Sequence, residues 1–342
     1  MALKGQPRAR CWLNRQHACS WKYSLRCEVR QVVWLLLLLL VNACQLPVAP
    51  LPTEVPVATI YDWPPDTTPP SSDAVQIPAT FPPTSPTSPA ASPTEEMHTM
   101  TPDSNNQLII TVVYDNNSYD PRLKTEWGFA ALVEYRGHTI LFDTGGDGST
   151  LLNNMNLMEI DPTRIESVIL SHAHGDHVGG LDGLLAQGTH PTLYLIPSFS
   201  EDFKRRAAKL VTVIEVVPGQ TITAEMFTTG EMSRGVPEQA LVIMTGRGLV
   251  VVTGCAHPGV VQVVEQAMNL FGGKVHLVLG GYHLRSKSTS ELEAIMAEFR
   301  RLGVEKVAPC HCTGDQAIQM FSDEYGNDFI QAGVGRVVVV EP

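Results

Sequence analysis

Residues 171–180 read SHAHGDHVGG. Four metal-capable side chains, His172, His174, Asp176 and His177, fall within six residues of this stretch. Ahead of them, RIESVILS (164–171) has the apolar, β-branched character of a buried strand. A strand that delivers such a cluster into a glycine-rich loop places it at a sheet edge. His172 and His174 are two apart, so in an extended segment they point the same way. Gly175 permits a sharp turn, which sends Asp176 and His177 towards a second position. Imidazole and carboxylate donors suit zinc, iron or manganese. A polar surface loop would explain a lone histidine. It explains H-x-H-x-D-H directly after a buried strand far less well.

Working outward, LIITVVY (108–114) reads as a strand, and GFAALVEYRGHTILFDTGG (128–146) as a hairpin turning at Arg136-Gly137. A helix is expected over 149–158. LVIMTGRGLVVVTG (241–254) is a second hairpin around Thr245–Gly248. Residues 259–271 read as helix, 275–280 as strand, 289–302 as a charged amphipathic helix, and 304–310 and 334–340 as strands. Strands and helices alternate in two halves that each open on a hairpin. This predicts an α/β fold, a four-layer αββα sandwich with two facing sheets and helices outside.

The remainder of the 342 residues has a different character. QVVWLLLLLLVNA (31–43) is an apolar run of signal-peptide length, preceded by seven bases against one acid. Ala43 before Cys44 resembles a bacterial lipobox; an ordinary cleaved signal and an uncleaved anchor are the alternatives. Residues 1–44 are therefore expected to be a leader. Residues 45–106, rich in Pro, Ser and Thr, are expected to be a disordered tether, and 107–342 the folded domain. On this reading the domain is exported and held at the cell surface of a bacterium through an N-terminal lipid anchor or signal segment. Losing seven bases and one acid takes the net charge from −11 to about −17. So acidic a chain argues against nucleic-acid binding, while leaving room for a small-molecule substrate, even an anionic one, held by a metal. Three cysteines, Cys255, Cys310 and Cys312, remain in the domain, each within two residues of a histidine. An odd number cannot all pair internally.

HAHGDHVGG resembles the signature of the metallo-β-lactamase fold superfamily, and LFDTGG (141–146) resembles its first motif. TGCAHPG (253–259), LGGYHL (279–284) and PCHCTG (309–314) resemble a narrower branch. That branch is annotated for the dihydropterin–ribofuranosylaminobenzene phosphate synthase of methanopterin biosynthesis. The resemblance covers nearly all of 107–342. It implies that His172 and His174 bind one metal, completed by His257. Asp176 and His177 would bind a second, with His311 as the last metal histidine. Asp143 would support the metal loop from behind. For His257 and His311 a surface-loop role is the alternative. His283 could be a ligand, contact substrate or cap a strand end. Many members have a bridging aspartate where this chain has Cys255, which could be a metal ligand or a small buried residue. The isolated histidine usual between the first cluster and that strand is missing, and His190 suits a turn. Where the branch is expected to read Glu-His-Gly, this chain has Glu126-Trp127-Gly128. Strand alternation would turn Cys310 and Cys312 away from the metal if His311 points in, which favours buried packing for both.

The cofactor implied is one or two divalent ions, zinc first, with iron or manganese as alternatives. Such ions lower the pKa of bound water to about 7. The function expected is a metal-dependent hydrolase that turns a metal-bound hydroxide on an ester, lactone or phosphoester. Asp176 is its candidate catalytic residue, orienting water or accepting its proton. The chain has no G-x-S-x-G elbow and no G-x-x-x-x-G-K-[ST] loop, so serine-hydrolase and phosphate-loop chemistries are set aside. The alternatives are a pterin-linked transferase or synthase, whose phosphorylated intermediates are cytoplasmic, and a non-catalytic metal-binding surface protein.

Overall fold

The computed structural model describes residues 106–342. The leader, lipobox and tether expectations lie outside the described residues. Among the described residues no helix is long and apolar enough to cross a membrane.

The chain opens with β1 (Leu108–Asp115), β2 (Phe129–Tyr135) and β3 (His138–Phe142), paired antiparallel in turn. Arg136 and Gly137 both take positive φ, 51° and 82°, the conformation that matches a two-residue hairpin to strand twist. Helix α1 (Gly148–Leu157) starts on Asp147, whose carboxylate accepts the Thr150 N–H. β4 (Ser167–Ile169) follows and is shorter than the 164–171 expected. Arg164 is taken into a 3-10 turn begun at Pro162, and Ser171 has already left the ladder. Two short helices, α2 (Gly175–Val178) and α3 (Leu181–Leu185), lead into β5 (Thr192–Leu195), α4 (Glu201–Ala207) and β6 (Val213–Glu215). The second half holds β7 (Met226–Thr228), β8 (Leu241–Thr245), β9 (Gly248–Thr253), α5 (Val260–Phe271), β10 (Val275–Gly281), α6 (Thr289–Arg301), β11 (Lys306–Cys310), α7 (Asp315–Tyr325) and β12 (Val337–Val340).

These strands make two sheets, ordered β12-β1-β2-β3-β4-β5-β6 and β11-β10-β9-β8-β7. Each combines an antiparallel hairpin with a parallel run: β3 to β6 in the first, β9 to β11 in the second. Period-two alternation explains the layering. In the second sheet Leu241, Ile243, Val250, Val252, Leu277 and Leu279 face the first sheet in one buried cluster. Val242, Val251, Val278 and Val307 face the other way, into a cluster with α5, α6 and α7. The αββα sandwich is thus the observed fold. Its outer layer is anchored by an aromatic knot, with Phe299 5.7 Å from Tyr282 and 5.5 Å from Phe321 between ring centres. Phe299→Ala is expected to cost about 3–5 kcal/mol in denaturant unfolding, because the knot cannot close over the cavity.

The parallel runs also position chemistry. Asp143 follows β3, Ser171 follows β4, Cys255 follows β9, His283 follows β10 and His311 follows β11. All five lie just past the carboxyl ends of parallel strands, where open α/β sheets place ligands.

Candidate metal centre

His172 and His177 are fully buried, His311 nearly so, and His174, Asp176 and His257 are partly exposed. The segment 172–174 is not a strand. His174 begins α2, as Gly175 turns the chain at once into helix. The two imidazoles still meet, with His172 Nε2 3.1 Å from His174 Nδ1. The His257 ring lies 4.6 Å from that of His172 and 4.9 Å from that of His174. On the other side Asp176 Oδ2 is 3.6 Å from His177 Nε2 and 3.4 Å from His311 Nε2. Cys255 lies between the two groups, its Sγ 3.3 Å from His177 Nε2. Its donor falls within 4.8 Å of those of His172 and His257, and equally of those of His177 and His311.

The far nitrogens of these rings are held from behind. His177 Nδ1 donates to Asp143 Oδ2 (2.7 Å), and Asp143 also accepts the Ser171 N–H and Oγ–H, both at 2.7 Å. His172 Nδ1 is 2.9 Å from Ser171 Oγ. His311 Nδ1 donates to Asn116 Oδ1 (2.8 Å), while Asn116 Nδ2 donates to the His311 carbonyl. His257 Nδ1 donates to Glu238 Oε2 (2.8 Å). Glu238 also accepts the backbone N–H groups of Cys255, Ala256 and His257 at 2.7–2.9 Å. It therefore shapes the whole Cys-Ala-His turn. Fixing one nitrogen leaves the other free to face inward, the arrangement metal-binding histidines require.

Four non-glycine residues of the site, Asp143, Ala256, His283 and His311, take positive φ between 49° and 58°. Such strain persists only where the surroundings impose it. Gly254 is needed for a different reason. A Cβ there would run into Ser171 Oγ and reach within 2.8 Å of Asp143 Oδ2.

Burial pushes His172 and His174 below the ordinary histidine value, so both are neutral and ready as donors at pH 7. Burial also opposes charge on His177, but Asp143 outweighs it and raises His177 to about 9. Burial works against ionised Asp176, yet His311 and His177 hold it below the usual carboxylate range. In metal-free protein the raised His177 stabilises the fold fully below its ordinary 6.5 and loses that contribution as pH rises through about 9. Chelated protein is therefore expected to show a falling urea midpoint between pH 6.5 and 9. Asp143→Asn should flatten that slope, and an unchanged slope would remove the pair from the account.

The donor chemistry fits metal ions. Ligands about 2.0–2.3 Å from a tetrahedral centre lie ~3.3–3.8 Å apart, and the neighbouring donors here are 3.1–3.6 Å apart. His311 Nε2 is buried with no hydrogen-bond partner. An orphaned inward nitrogen beside the His177 imidazole, the Cys255 thiol and the Asp176 carboxylate is a site built for an electron-pair acceptor.

Several contributors had no signal in the sequence. Asn116 lies nearly two hundred residues from His311, and Glu238 stands alone in VPEQA. Cys312 requires a correction. Alternation was expected to bury both flanking thiols away from the site, but it ends at Cys310. His311–Thr313 form a 3-10 turn with His311 at φ 49°, which swings Cys312 back towards Cys255 and His283. Cys310 does join the core between the sheets. All three thiols are free. His283 is an exposed residue whose ring lies 4.5 Å from that of His257. His190 is exposed and apart from the cluster. Trp127 packs on His311 at 4.9 Å between ring centres, with Arg285 over its indole.

Residues 128–267 match the family description "Metallo-beta-lactamase superfamily". A curated relative from Methanocaldococcus jannaschii, named 7,8-dihydropterin-6-methyl-4-(beta-D-ribofuranosyl)-aminobenzene-5'-phosphate synthase, is 28% identical over 289 residues. The match covers 68% of this chain and 96% of the relative. A solved metal-dependent hydrolase of the beta-lactamase superfamily is 29% identical with a TM-score of 0.58, matched over 69% of this chain and all of its own. A metallo-beta-lactamase fold protein from Bacillus subtilis has the same fold at 18% identity, TM-score 0.53, over 69% of this chain and all of its own.

Proposed function

We propose that the chain is a metal-dependent hydrolase of esters, lactones or phosphoesters. In this reading His172, His174 and His257 hold one divalent ion, Asp176, His177 and His311 a second, and Cys255 lies between them. The observation that carries it is the convergence of these donors, with every buried far nitrogen held by Ser171, Asp143, Glu238 or Asn116. Bound, such ions supply Lewis acidity and make water acidic enough to ionise near neutral pH. Zinc suits a set that contains a thiol and imidazoles. Asp176, part-exposed and ionised, orients a water molecule by accepting its hydrogen bond. Asp143 and Glu238 keep His177 and His257 in register. Placement at the cell surface through the N-terminal segment belongs to the same proposal.

A second reading, a pterin-linked synthase, draws on the curated relative that the chain matches along nearly its whole length. The tests separate the two. The purified full-length chain is expected to contain divalent metal by elemental mass spectrometry and to cleave at least one of a phosphodiester, an aryl ester and a lactone. His174→Ala is expected to lose metal and turnover together. Metal-loaded protein without hydrolysis, but with formation of the dihydropterin–ribofuranosylaminobenzene phosphate product for which the relative is named, would replace the first reading by the second.

A further inference from the structure

Cys255, Cys312 and His283 offer three donor atoms within 4.8 Å of one another. Both thiols are buried, 4% and 5% exposed. Neither belongs to the two apolar clusters, although Cys310, two residues away, does. The two thiols are thus withdrawn from water at the site end of the sheet, outside either apolar cluster. Their polar contacts run within the site: Cys255 Sγ lies 3.3 Å from His177 Nε2, and Cys312 Sγ lies 3.8 Å from the Cys255 carbonyl oxygen. The trio forms where chain geometry departs from the ordinary. His283 has φ 54°, two residues past the end of β10, and the 3-10 turn after β11 returns Cys312 towards it. Gly281 makes room between them, since a Cβ there would come within 2.8 Å of Cys312 Sγ and 3.3 Å of the Cys255 Cα.

We propose that Cys255, Cys312 and His283 form a further, thiol-rich cation site for one thiophilic ion of the zinc class, beside the histidine-rich centre. Two sulfurs and one imidazole are a soft donor set, selective for zinc, cadmium or copper(I) over manganese or magnesium. The ion would be held by Cys255 and Cys312 as thiolates, and each thiol gives up its proton to solvent on binding. Cys255 is common to this trio and to both histidine groups, so its sulfur bridges the new site to the centre. His283 is the solvent-side donor, and its exposure gives the ion a way in.

The test uses the full-length chain, freed of metal by chelation and reloaded with Co2+ alone. It reads near-ultraviolet sulfur-to-cobalt absorption and cobalt content by elemental mass spectrometry. Cys312→Ser is expected to remove about half of the sulfur absorption and about one cobalt per chain, because the ion of the trio leaves and only Cys255, shared with the histidine centre, still binds cobalt through sulfur. Cys310→Ser is expected to change neither. His174→Ala is expected to lose cobalt from the histidine centre and turnover while the sulfur absorption persists, so failure of the hydrolase reading is distinguishable. Wild-type absorption in Cys312→Ser, or no sulfur absorption in the wild type, overturns the proposal. If Cys312→Ser is unfolded by circular dichroism, His283→Gln carries the test. Weakened cobalt binding against a competing chelator supports the site, and unchanged content and affinity overturn it.

Discussion

Glu238→Ala is expected to lose on the order of 3–6 kcal/mol of stability in urea unfolding of chelated protein. The substitution strands buried backbone donors, each worth about 1–3 kcal/mol. The carboxylate accepts the N–H groups of Cys255, Ala256 and His257 and the ring of His257, and it is 2% exposed. Few single side chains hold so much of one loop. Domains have only about 5–15 kcal/mol in all, so the variant should be marginal at 37 °C. Chelated protein isolates the structural effect from the loss of metal that will accompany it. Glu238→Gln keeps an acceptor oxygen and the shape, and is expected to fall between wild type and alanine. A loss below ~1 kcal/mol in Glu238→Ala would mean that the turn is shaped by its own backbone or by Gly254 instead.

Asp176→Asn is expected to lower turnover by about 10³-fold or more, the scale on which members of a catalytic unit are lost. Its melting temperature should stay close to wild type. Asparagine preserves the size of the side chain while removing the negative charge that faces His177 and His311. Asp176 is partly open to solvent, at 22% side-chain exposure, so the core does not depend on it. The quantities to compare are kcat on whichever ester, lactone or phosphodiester the wild type cleaves, and metal content. Retained turnover would exclude Asp176 from the chemistry and leave it a role in setting the charge of the cluster.

Much of the architecture was legible because each signal acts over a few residues. The turn at Arg136-Gly137, the amphipathic helix near 289–301 and the second hairpin follow from local chemistry, and the boundaries shift by only one to three residues. The cluster 172–177 was legible because all its members lie on one short loop. Glu238 and Asn116 were not, since each meets its partner only once separate strands are packed side by side. Cys312 was misread for a related reason. Alternation assumes a continuing strand, and the chain leaves the strand one residue before that thiol. The missing third histidine also has a spatial explanation: His257, two residues beyond Cys255, reaches the same imidazole group once Glu238 orients it.

The seven-stranded sheet takes its outermost strand from far along the chain: β12 pairs with β1, Leu108 opposite Val340. During synthesis, β1 can pair with β2 early, but its other edge stays open until residues 337–340 have been made. An open edge invites pairing with other chains, and pairings of such long sequence separation are slow to form. The alternating Val337 to Val340 segment, with Val337 and Val339 turned to solvent, therefore acts as a latch that covers this edge last. Until β12 is in place, the edge of β1 is the part of this sheet most open to pairing with a neighbouring chain.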